Sequence, residues 1–424
     1  MAKFLVQNSG PLNGEVYISG SKNAVLPILA ASILAEDGCV IDDVPALRDV
    51  QVMKGILNSL GAEIDDSREG MLEIRFPDIL TNEADYELVG KMRASFLVMG
   101  PLLTKTGRAK VHIPGGCSIG ARPIDLHLKG FKALGAKVIE KDSYVEAIAP
   151  AGGLKGAGIY LDFPSVGATE NIMIAASMAS GTTYIENAAE EPEIVDLANF
   201  LNKMGARIKG AGTDNIKIEG VRTMHPCEHC VIPDRIEAGT FMLAGAITRG
   251  ELLIHNIVPD HIRPITAKLR ECGVMVEMGD EGMYVIADRR PLTSTNIKTL
   301  PYPGFPTDIQ SPFMAFLTTV KGSSSVIETV FENRFMHVAE LNRMGANIRT
   351  EGNRALIPGD TDLEGAQVIA TDLRAGAAMV LAGLVARGTT EISEIYHIER
   401  GYEKFVDKCK GIGATILRID DQED

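Results

Sequence analysis

The chain has 424 residues, enough for two or three domains with separate cores, and a net charge of −14. That charge argues against general nucleic-acid binding, which needs a basic face, and requires any anionic ligand to be held by a local cluster of cations. A hydrophobic content of 45% and a charged content of 23% are those of a globular chain. Met1–Asn8 lacks an apolar stretch of signal-peptide length, and the apolar runs Ala24–Ala35 and Ala375–Ala386 are too short to span a bilayer. A cytoplasmic protein without membrane insertion is expected. Its cysteines (Cys39, Cys117, Cys227, Cys230, Cys272 and Cys409) are dispersed, which fits reduced thiols better than a disulfide framework.

In chain order, Lys3–Val6 and Gly14–Ser19 read as strands ahead of a small, apolar helix starting near Lys22-Asn23-Ala24. Comparable helices start near Arg93-Ala94, Thr169-Glu170, Glu237-Ala238, Gln310-Ser311 and Arg374-Ala375. All are apolar nearly all round, the signature of a buried helix, and Pro27 and Pro312 are expected in first turns, where a missing N–H costs little. Each is followed by a turn, an extended segment and a second helix, of which Pro192–Met204 and Arg334–Met344 mix charge with apolar residues and should lie outside. Every unit closes on a glycine and a β-branched strand: Gly61, Gly135, Gly205, Gly273, Gly345 and Gly413, recurring about every 70 residues. The glycine is expected to end the second helix in a left-handed cap. The last strand, Ala414–Ile419, has no continuation, which points to residues 1–21 completing the sixth unit. Two domains of three units each follow, 22–232 and 1–21 plus 233–424.

Lys22, Arg93 and Arg374 stand at helix starts, where the macrodipole already favours anions, so three equivalent cations point to phosphate or carboxylate ligands. The competing reading pairs each with an acidic neighbour, such as Asp372 beside Arg374. Pro114–Pro123 (PGGCSIGARP) is too rich in glycine and proline for a helix or central strand. Cys117 there is either a small residue turned inward or a reactive thiol whose pKa is lowered by Arg122. In His225-Pro-Cys-Glu-His-Cys230, four potential zinc ligands fall within six residues and no partner pair occurs elsewhere. A solvated linker at a domain crossing is expected there rather than a metal site.

The Cys117 loop, the Gly20-Ser21-Lys22-Asn23-Ala24 segment and the six-unit pattern resemble the enolpyruvyl transferases. So do Pro164–Thr169, Pro233–Glu237, Phe305–Asp308 and Glu332–Phe335, and the resemblance runs end to end. It implies an α/β (α+β) fold of two inside-out α/β barrels, each of three βαβαββ units. The implied reaction moves the enolpyruvyl group of phosphoenolpyruvate to the 3′-hydroxyl of UDP-N-acetylglucosamine with release of phosphate, the first committed step of peptidoglycan synthesis. Neither metal nor organic cofactor is implied. By the same resemblance Cys117 is the proton donor, can be held covalently by the phosphoenolpyruvate fragment, and is the target of fosfomycin; Asp308 meets the sugar hydroxyl. Lys22, Arg122 and Arg400 surround the phosphate, and Arg334 and Arg374 the carboxylate, with Asp372 beside them. Arg122, Pro123, Ile124, Asp125, Leu126, His127, Ser165, Val166 and Val330 line the nucleotide sugar, and Asn23 and Arg93 contact substrates. Phe163 stands where some relatives carry a Lys. The sister enzyme acting on shikimate 3-phosphate shares the fold and lacks the Cys loop. Two other readings remain at this stage. One is a cysteine hydrolase using His112 or His127, around which no hydrolase signature occurs; the other is a silent paralogue that binds nucleotide sugar.

Overall fold

A computed structural model of the chain describes residues 2–113, 119–120, 123–288 and 291–420. They form six sheets, five of four strands and one of three, and divide into two compact units. One holds residues 20–113 and 123–232; the other holds 2–19, 119–120 and 233–420. Each unit has its own hydrophobic core and three of the sheets. Gly20 and Ser21, which the repeat pattern gives to the C-terminal half, group with Lys22, and Ile119 and Gly120 group with the C-terminal half.

Helices occupy the inside of each unit and sheets the outside. In the C-terminal unit, helices Arg235–Ile247, Thr307–Thr318 and Leu373–Gly383 pack on one another, and every residue from Ile236 to Ile247 is buried. In the other, Lys22–Ala31, Val166–Ala176 and the stretch Arg93–Thr106 do the same. Small residues allow this close packing, and burial of each Leu, Ile or Phe contributes roughly 1.5–3 kcal/mol. Side-chain oxygens fix where four of these helices begin. Ser21 accepts from the Ala24 N–H (3.3 Å), Ser165 from Ala168 (3.4 Å), Asp234 from Ile236 and Glu237 (2.8 and 3.0 Å), and Asp372 from Arg374 and Ala375 (2.9 and 3.1 Å). All six closing glycines have φ between +93° and +110°, the left-handed conformation that ends the preceding helix.

Several expectations need correction. Pro27 and Pro312 lie inside their helices rather than in the first turns, so neither can donate to the carbonyl four residues back, Asn23 and Asp308. The stretch after Arg93 opens as a 3₁₀ helix, Arg93–Val98, and becomes α-helical only at Met99. The helix expected from Arg334 begins at His337. Pro192–Lys203 is largely buried, because its acidic residues have partners inside: Asp196 takes His229 Nε2 at 2.9 Å and the Ile232 N–H at 3.2 Å. Of the two N-terminal strands, Lys3–Gln7 completes the sheet of the sixth unit between Thr389–Ser393 and Thr415–Ile419, whereas Asn13–Tyr17 pairs in parallel with Glu251–His255 in the sheet of the fourth unit. The His225–Cys230 segment is no solvated linker. Cys227–Cys230 is a strand paired in parallel with Cys39–Asp42, and its His229 is buried.

Candidate active site

Asp308 sits in the first turn of Thr307–Thr318, where the helix macrodipole favours a negative charge. Each of its oxygens takes a different arginine: Arg334 Nη2 at 2.7 Å from Oδ1, Arg374 Nη2 at 3.3 Å from Oδ2. The arginine side chains are each 3% exposed and Asp308 is 28% exposed, so a part-open carboxylate is clamped by two desolvated cations. Burial alone would push the Arg374 guanidinium down, but Tyr402, Asp308 and Asp234 hold it above its usual value. Its guanidinium carbon lies 5.2 Å from the centre of the Tyr402 ring. Arg374 therefore turns away from the acidic neighbour suggested by the sequence: Asp372 caps the backbone, and Asp308 takes the charge. Among the described residues, Arg334 Nε and Arg374 Nε and Nη1 are buried without a hydrogen-bond partner.

The segment leading to Asp308 is tied down by Glu328, which is 2% exposed. Its carboxylate accepts from Thr299 Oγ1 (2.7 Å), Thr307 Oγ1 (3.0 Å) and the backbone N–H of Val330 (2.8 Å). Val330 and Asp308 are thus held by one buried acid. The backbone N–H of Asn333, beside Arg334, donates to the Ile119 carbonyl at 3.1 Å, which brings the described part of the glycine-rich loop to this cluster. Cys117 and Arg122 lie outside the described residues. Arg400 follows the short helix Tyr396–Glu399 and is one of the charges that, after burial, hold His397 below its usual range.

In the other unit, Lys22 opens its helix with Nζ 3.5 Å from Asp49 Oδ2, both side chains nearly buried. Asn23 follows it, and Arg93 begins the 3₁₀ stretch. Two of the three helix-start cations, Lys22 and Arg374, thus face protein carboxylates. Pro123 and Ile124 lead into Asp125–Ala133, whose first turn carries Asp125, Leu126 and His127. His127 is 8% exposed and is fixed by Asn171. Because Asn171 Oδ1 accepts the Gly100 N–H (2.8 Å), its Nδ2 must donate, to the Phe96 carbonyl (3.0 Å) and to His127 Nδ1 (3.1 Å). The proton of the neutral ring therefore sits on Nε2, on the side facing Gly167, next to Ser165 and Val166. Phe163 is 42% exposed just before that turn. No group of three or more His, Cys, Asp or Glu among the described residues is arranged to hold a metal.

A family model described as EPSP synthase (3-phosphoshikimate 1-carboxyvinyltransferase) matches residues 6–409. The chain belongs to the EPSP synthase family. Among its relatives, a UDP-N-acetylglucosamine 1-carboxyvinyltransferase of Caldanaerobacter subterraneus is 60% identical over 98% of this chain and 99% of its own. One from Carboxydothermus hydrogenoformans is 58% identical over 99% and 100%, and one from Staphylococcus aureus is 53% identical over 99% and 100%. The solved enolpyruvyl transferase NikO of Streptomyces tendae, at 23% identity, superposes with a TM-score of 0.88 over 98% of each chain. An EPSP synthase of Acinetobacter baumannii, at 16%, reaches 0.78 over 99% and 100%. At those identities the structures speak for the fold alone.

Within this EPSP synthase family chain, sequence reasoning missed Glu328, Tyr402, His337 and Gln310. His337 is fully buried, close to Arg334 and Asp372, and burial pushes its imidazole down to about 4. The Gln310 amide is buried two residues after Asp308, its polar atoms unpartnered among the described residues. A polar residue inside an otherwise apolar helix was the available signal for Gln310.

Proposed function

We propose that this chain transfers the enolpyruvyl group of phosphoenolpyruvate to the 3′-hydroxyl of UDP-N-acetylglucosamine, releasing phosphate, as a cytoplasmic enzyme of peptidoglycan synthesis. The observation that carries this reading is 60% identity, over essentially the whole of both chains, to a relative named for that reaction. The site chemistry supports it. In the addition step the sugar oxygen bonds to C2 of phosphoenolpyruvate while C3 gains a proton; in the elimination step C3 loses a proton and phosphate leaves. Asp308, held in one orientation by Arg334 and Arg374, is the group assigned to the sugar hydroxyl, and positioned acid–base groups contribute on the order of 10²–10⁴ in rate. The same arginines have spare buried donors for a substrate carboxylate and for charge that develops during addition. Lys22, Arg122 and Arg400 are assigned to the phosphate. Pro123–His127, Ser165, Val166 and Val330 are assigned to the nucleotide sugar, for which the neutral, Nε2-protonated His127 supplies a donor. Asn23, Arg93 and Asp372 complete the assigned substrate contacts. Cys117 is assigned the proton delivered to C3.

Phosphate release measured with both substrates tests the reading. Turnover should require UDP-N-acetylglucosamine and not occur with shikimate 3-phosphate. Cys117→Ser should lose most of it, because a hydroxyl is a far weaker acid than a thiol. Cys117→Asp keeps an ionisable acid and should retain turnover while escaping alkylation by fosfomycin. Nucleotide-sugar binding without phosphate release would replace the enzyme with a silent binding protein.

A further inference from the structure

The strand Cys227–Cys230 places Cys227 directly opposite Cys39 on the neighbouring parallel strand. Both side chains lie on the inner face: Cys39 is 3% exposed, Cys227 is half-buried, and His229, two residues further on and so on the same face, is buried. The two Sγ atoms are 3.9 Å apart. Opposed residues on adjacent strands lie about 4.8 Å apart in the hydrogen-bonding direction, inside the roughly 4.4–6.8 Å Cα range of disulfides. Closing the sulfurs to about 2.05 Å therefore needs side-chain rotation and little backbone movement.

Their surroundings differ from those of the other described cysteines. The hydrogen bond shared with the Cys39 thiol, helped by the charge of Lys203, holds Cys227 below the usual thiol range, whereas the same bond and burial raise Cys39. Burial pushes Cys272 and Cys409 up to about 12, and burial together with Asp43, whose Oδ2 lies 3.3 Å from Sγ, pushes Cys230 up to about 11. Since the thiolate is the reactive form, Cys227 is the most nucleophilic of this set.

We propose that Cys39 and Cys227 are a peroxide-sensitive modification site that closes to a disulfide. The Cys227 thiolate attacks one oxygen of hydrogen peroxide, breaking the O–O bond; the released hydroxide takes up a proton and leaves as water, and Cys227 becomes a sulfenic acid. The Cys39 sulfur then attacks Cys227 Sγ, its thiol proton leaving with the departing hydroxyl as a second water. Two thiols are oxidised and one peroxide is reduced to two waters. The bond ties the first sheet strand of its unit to the last, across 188 positions of chain.

The experiment is peroxide treatment of the full chain, alkylation of the remaining thiols, digestion without reductant and mass spectrometry. The Cys39 and Cys227 peptides should appear joined, lighter by two hydrogens, and separate on adding dithiothreitol. In Cys39→Ser, Cys227 has no resolving thiol and should be captured by dimedone as the sulfenic acid; in Cys227→Ser, Cys39 should stay reduced. Overturning results are a bond between any other pair, no joined peptide at doses that oxidise Cys230 or Cys272, or no dimedone adduct at Cys227 in Cys39→Ser. The wild-type map decides the point even if a variant fails to fold.

Discussion

Asp308 and Glu237 occupy the same kind of place in one unit, the first turn of an inner helix, and each faces cations, yet they are built to opposite ends. Glu237 is 3% exposed; its oxygens take Lys408 Nζ at 2.6 Å and the Ser19 N–H at 2.8 Å, and Lys408 also donates to Ser19 Oγ. Burial raises its carboxyl to about 7 against the pull of Lys408. Asp308 is more exposed and is held by two arginines that keep buried donors in reserve. A carboxylate–cation cluster whose donors have protein partners is a joint; one with surplus donors can take up a substrate. Saturation, rather than the presence of charge, separates the structural site from the functional one.

The largest effect should come from Asp308→Asn, which keeps the shape and removes the charge: kcat should fall by about 10²–10⁴. Glu237→Gln should leave kcat within about threefold, since the group acts on stability and not at the transition state. Equal losses in the two variants would abolish the distinction. Arg374→Lys keeps the charge but loses the planar fork, and kcat/KM should drop roughly 10- to 100-fold, the loss of one charged hydrogen bond. Urea unfolding across pH 4–8 sharpens the comparison further. The folded chain holds the Glu237 proton up to about pH 7. The unfolded chain releases it near about 4.3, so this contribution, on the order of 3 kcal/mol, is lost as pH rises through that window and should be absent in Glu237→Gln. His337 has the opposite sign. Its folded value is about 4. Stability should therefore be lost as pH falls from about 6.5 towards 4, and His337→Gln should flatten that limb. The smallest effect is Asp372→Ala, which loses two cap hydrogen bonds; about 1 kcal/mol and a Tm lower by about 2–4 °C are expected.

The repeat was legible because glycine at a positive φ and β-branched residues after it leave a local signature, six times over. Start points were less so. Pro27 and Pro312 read as first-turn residues, whereas the helices start earlier, at Lys22 behind the Ser21 cap and at Thr307 behind Pro306. The partner of Asn13–Tyr17 was invisible because Glu251–His255 lies more than 230 residues away. At the site, Asp308, Arg334 and Arg374 were readable from their motifs, but that both arginines converge on one carboxylate was not. Glu328 and Tyr402 carry no periodic or motif signal at all. Their roles exist only through Thr299, Thr307 and Arg374, partners brought together by the fold.

Lys3–Gln7 lies between Thr389–Ser393 and Thr415–Ile419, and that placement sets a timetable for the nascent chain. At about 5–20 residues per second, Lys3–Gln7 waits on the order of 20–80 s before its last neighbour emerges from the ribosome. The other unit, starting at residue 20 and finished at Ile232, has all its strands long before then. Ribosome-bound chains should therefore show one unit protease-resistant while Lys3–Gln7 remains open to cleavage. A circular permutant that begins at Gly20 and carries the first nineteen residues after Asp424 would make both units continuous apart from the segment holding Ile119 and Gly120, and remove the wait.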